Sequence, residues 1–88
     1  MHYELQKTMT KDCIETAYAF FHQKQRIYQY STLDWQKDDI EWAIGDYVDS
    51  MNEELYALLS GGRKDYLRDH TRFAEDILHA VETMEKML

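Results

Sequence analysis

No proline interrupts these 88 residues, and glycine occurs only at Gly45 and as the pair Gly61-Gly62. A chain without proline keeps every backbone amide as a donor, and one nearly without glycine avoids the residue that next most weakens helices, so long helices are what it can form. The adjacent glycines mark the natural hairpin. Elsewhere apolar residues recur at three- and four-residue spacing, the pattern that lines one face of a helix. An all-α fold follows.

Three helical segments are predicted, at about 10–30, 37–60 and 63–88. Cys13, Ile14, Ala17, Phe20, Phe21, Ile27 and Tyr28 form the apolar face of the first, with the Thr8 or Thr10 hydroxyl as N-cap. The second runs through Ile40, Ala43, Ile44, Tyr47, Met51, Leu55, Leu58 and Leu59. Asp38 with Glu41 three residues on predicts a capping box at its start, and a left-handed glycine at Gly61-Gly62 its end. Gly45 within it suggests a close helix contact. The third carries a heptad seam of Leu67, His70, Ala74, Ile77, Val81, Met84 and Leu88, broadened by Tyr66, Phe73, Leu78, Ala80 and Met87. Short turns between neighbours imply an antiparallel up-down-up three-helix bundle, one domain spanning 1–88. A tight glycine turn would set Met51 against Phe73 and Tyr47 against Ile77. Domains this small bury a modest share of their surface, so completion as a homodimer is expected.

Charge narrows the functional classes. The net charge is −7, and residues 32–60 hold eight acids against Lys37 alone, so this segment carries all of it. Such a surface repels the phosphate backbone, and direct nucleic-acid binding is not expected. No stretch approaches the roughly 20 apolar residues that a membrane crossing needs. The single cysteine, Cys13, cannot form an internal disulfide, which fits a cytoplasmic setting.

Several constellations invite a chemical reading. In the hairpin register Glu54 faces His70, which predicts a buried polar pair in the core and, alternatively, an acid/base pair. Asp76 and His79, three apart, resemble half of a carboxylate-bridged metal motif, but no partner ligands accompany them and a solvated face explains them. Gly61-Gly62-Arg63-Lys64 reads as a helix C-cap and not a phosphate cradle, because no strand precedes it. Cys13 sits at core spacing, where a thiol is inert. No catalytic, cofactor-binding or metal-ligating set is assigned.

Trp35, Trp42, Asp49 and Tyr56 differ, because they fall at multiples of seven, opposite the apolar face of Ile40, Tyr47 and Met51. With Asp46 and Glu53 they form an aromatic and acidic stripe of the kind enriched at interfaces. The expected function is therefore a small, cytoplasmic, non-enzymatic protein–protein interaction or regulatory module that associates with itself, or else with a basic partner. One alternative is an acidic decoy for the basic surface of a nucleic-acid-binding protein. The other is a small metal-dependent or acid/base enzyme using His70, Glu54, Asp76 or His79.

Overall fold

The computed structural model describes residues 9–88, so Thr8 lies outside the described residues. The fold is all-helical. Helix α1 spans Lys11–Tyr30, and the Thr10 hydroxyl caps it by accepting from the Cys13 amide at 3.1 Å. Its buried residues, Ile14, Ala17 and Phe21, follow the expected face, whereas Ile27 is exposed.

Helix α2 spans Asp34–Ser50, three residues earlier than the sequence suggested. The Asp38–Glu41 capping box does not form. The Ser31 hydroxyl instead organises the turn, accepting from the Leu33 amide at 3.3 Å and donating to Gln36 Oε1 at 2.6 Å. Residues 37–60 are not one helix: α2 ends at extended Met51, and α3 spans Glu53–Ser60. Asn52 causes the break, because its side chain accepts the Leu55 amide at 2.9 Å and so caps a new helix instead of continuing the old one. Gly61 closes α3 at φ 61°, donating its amide to Ala57 O at 3.1 Å.

The third predicted helix is shorter than 63–88. A loop occupies residues 61–69, a 3-10 turn spans His70–Arg72, and α4 runs Phe73–Met87. Two local features stop the helix from starting earlier. Leu67 takes a left-handed φ of 66°, which interrupts any helix through it. Asp69 then accepts from the Thr71 amide at 3.0 Å and caps the turn.

The core joins Phe21 of α1, Ile44 of α2, Leu55 of α3, Leu67 of the loop, and Phe73, Ile77 and Met84 of α4, all fully buried. Helix α1 packs most extensively on α4 and next on α2. Tyr47 stacks on Phe20 at 4.6 Å and meets the edge of Phe21 at 5.6 Å, while Phe73 packs against Tyr28 at 5.0 Å. Both rings thus turn to α1. The register expected for Met51–Phe73 and Tyr47–Ile77 presupposed one unbroken helix and a tight hairpin, neither of which forms. Among the described residues, no helix is long and apolar enough to cross a membrane.

Candidate functional site

The outward face of α2 is set by what its inward face buries. Ile40, Ile44 and Val48 enter the core, which turns the opposite side of the helix to solvent. Trp42 is 76% exposed there and Trp35 is 62% exposed. The acids Asp34, Asp38, Asp39, Asp46 and Asp49 are exposed on the same helix.

Gly45 sits one turn along from Trp42. A Cβ there would have nothing within 4 Å, so the close helix contact expected at Gly45 does not occur. Its missing side chain leaves room for an open groove of about 320 Å³, lined by Glu41, Trp42, Gly45, Asp46 and Asp49 of α2 and by Leu67 and Arg68 of the loop. Arg68 and Asp49 form an ion pair and also border a second groove, lined in part by Met51, Glu53 and Tyr56. The six stripe residues are therefore not one helical row. The extended backbone at Met51 ends the seven-residue period, and Glu53 and Tyr56 belong to α3. Tyr56 is half-buried and donates its hydroxyl to Tyr66 O at 2.8 Å, fixing it to its own chain.

The loop wall is held by a buried charge. Asp76, expected on a solvated face, is 4% exposed. Its two oxygens accept from the Arg63 guanidinium at 3.0 and 2.5 Å, and Oδ2 also accepts the Leu67 amide at 3.0 Å. That last bond holds the left-handed Leu67, and so places Leu67 and Arg68 beside α2. Arg63 also donates to Asp65 at 2.7 Å, which holds the Asp65 carboxyl below its usual range. Tyr66 lies beneath. Its hydroxyl donates to Asp76 O at 3.1 Å and lies 2.8 Å from His79 Nδ1. Burial, chiefly, pushes the Tyr66 phenol well above its ordinary value. Among the described residues, no buried side-chain nitrogen or oxygen lacks a partner. Asp76 and His79 thus serve a network that fixes the loop.

The Glu54–His70 pair is not made. Both residues are exposed; Glu54 accepts the Met9 amide at 3.1 Å, and His70 Nδ1 lies 2.9 and 3.0 Å from the two Glu41 oxygens. The heptad seam placed His70 inside a helix, whereas it opens the 3-10 turn and so leaves the core face. Its hydrogen bond to Glu41, followed by the attraction of the Glu41 charge and lesser ones from Asp38 and Asp69, raises the His70 pKa. Glu41 also accepts the Tyr28 hydroxyl at 3.3 Å. Among the described residues, Asp38, Glu41 and His70 form a group able to hold a metal ion, with one ligand atom of each within 4.8 Å of the others. The sequence did carry a signal for the carboxylates, the three-residue spacing of Asp38 and Glu41, but that spacing also fits a capping box. Nothing local links either to His70. Cys13 is half-buried on α1.

No family model, curated protein or solved structure matches this chain.

Proposed function

We propose that this protein is an interaction module that works by contact, and that the outward face of α2, centred on Trp42, receives a basic partner protein. The observation that carries this reading is the exposure of Trp42, 76%, and Trp35, 62%, on one helix bordered by acids. Tryptophan is among the residues most often found as binding hot spots, and leaving two in water is a cost that association removes. The Gly45 groove beside Trp42 offers depth, and Asp46 and Asp49 offer charge.

Self-association is the second reading. A symmetric dimer through α2 would bring its six acids, opposed by Lys37 alone, against their copies. Arginines of the partner copy would have to answer them. Two candidates, Arg63 and Arg68, already pair with Asp76, Asp65 and Asp49 of their own chain. Charge therefore favours a foreign, basic partner. The antiparallel three-helix arrangement completed as a homodimer has no comparable support.

Two measurements test this. The mass in solution should stay that of a monomer, about 10.6 kDa, across a concentration series. A partner captured from native extract and then purified should be basic and should bind more weakly as salt rises, since screening acts on exposed charges. A stable dimer at low concentration would favour self-association, and a partner whose affinity ignores salt would contradict a basic docking surface.

A further inference from the structure

Apart from the Trp42 surface, the fold draws together three donors that the sequence keeps far apart. Asp38 and Glu41 are one turn apart on α2, and His70 is the first residue of the 3-10 turn that leads into α4. A ligand atom of each lies within 4.8 Å of the other two. Divalent transition ions bind carboxylate oxygen and imidazole nitrogen at about 2.0–2.2 Å, so ligands on one ion stand roughly 3–3.5 Å apart. Asp38 and His70 are exposed, so solvent and not packing surrounds the side chains that would turn toward a shared ion.

Two independent features favour an ion over a plain ion pair. The first is the support behind Glu41. Tyr28 donates its hydroxyl to that carboxylate at 3.3 Å, while the Tyr28 ring packs against Phe73, at 5.0 Å, and under the Lys37 ammonium, at 5.5 Å. An outer hydrogen bond that fixes a carboxylate is what metal ligands ordinarily have. The second is the charge balance, because the cluster sets two carboxylates, Asp38 and Glu41, against a single histidine, with the nearby Lys37 ammonium turned to the Tyr28 ring. One imidazolium leaves one of the two carboxylates unneutralised, whereas a divalent cation on neutral imidazole matches both. A histidine 76% exposed in its side chain also gains little from a solvated ion pair.

We propose that Asp38, Glu41 and His70 bind one divalent transition-metal ion of the zinc type, which would tie α2 to the start of α4. On binding, the proton of His70 Nδ1 passes to solvent, the nitrogen lone pair turns to the ion, and one oxygen from each carboxylate completes three positions. The remaining positions are left to water or to a donor from outside the chain. Glu41 also lines the Trp42 groove, but ion binding does not require that groove to hold a partner.

The test uses the full chain freed of metal by a chelator and titrated with cobalt(II), whose visible absorption reports its ligands. One ion should bind per chain, zinc(II) should displace it, and nitrogen NMR should show the His70 Nδ1 resonance moving on zinc addition. His70→Ala and Asp38→Asn should each weaken binding at least about 10-fold, with circular dichroism in chelator unchanged because both side chains are exposed. Cobalt bound equally well by His70→Ala would place the ion elsewhere on the chain and overturn the site, as would the absence of saturable binding. If Asp38→Asn binds like the wild type, the three-ligand set is wrong.

Discussion

Asp76 holds its loop through bonds from two different segments, the Arg63 guanidinium and the Leu67 amide. Asp76→Ala would strand that amide in a buried setting and leave the guanidinium with the exposed Asp65 as its remaining carboxylate. We expect it to cost about 2–4 kcal/mol, read as a lower midpoint in urea unfolding; an unchanged midpoint would show that the network contributes nothing. Sequence could not reveal this role, since Arg63 and Asp76 are thirteen residues apart and meet only because the intervening loop doubles back. By contrast, the Thr10 cap and the Gly61 closure were legible, because both act within a few residues of themselves. His70 carries a second prediction. In metal-free protein its pKa should lie above the ordinary 6.5, since Glu41 holds the charged form. A folded value above the unfolded one means that the pair's stabilisation is fully present below about pH 6.5 and is lost as pH rises through the folded value. An NMR titration giving 6.5 or less for His70 would contradict the Glu41 pair.

At the scale of elements, the division of residues 37–60 into α2 and α3 is where the sequence misled most. The apolar spacing from Ile40 to Leu59 continues smoothly across Met51 and Asn52, and so reports a shared core without reporting the break. The signal was present in Asn52 followed by Glu53 and Glu54, a polar cap ahead of an acidic first turn. It was outweighed by periodicity. Asn52→Ala should cost about 1 kcal/mol through loss of the bond from the Leu55 amide. Gly45→Ala should act oppositely: the added methyl meets nothing within 4 Å, and alanine is the better helix former by up to about 1 kcal/mol. Thermal melting of the two variants checks both signs, and a Gly45→Ala protein that melts lower would mean that the groove floor is packed after all. The heptad seam failed similarly at its start. Leu67 is buried as the seam required, but its left-handed backbone places it in a loop, and His70 then falls outside α4.

For the whole molecule, the all-helical class and most of the core were readable because helical spacing records burial directly, as Phe21, Ile44, Ile77 and Met84 show. What faces outward was readable only in part. Trp42 and Trp35 do lie opposite the core, yet the groove beside Trp42 needs the 61–69 loop, whose path is fixed by the Arg63–Asp76 pair and not by any periodicity. The central claim is that Trp42 is a contact residue and not a structural one. It is tested most directly by measuring the affinity of Trp42→Ala for the purified partner beside its thermal melting. The expected result is a loss of about 30-fold or more in affinity, the size of a tryptophan hot spot worth about 2 kcal/mol, with helicity and melting temperature matching the wild type. Undiminished affinity, or a variant that unfolds while binding with its original stoichiometry, would contradict it.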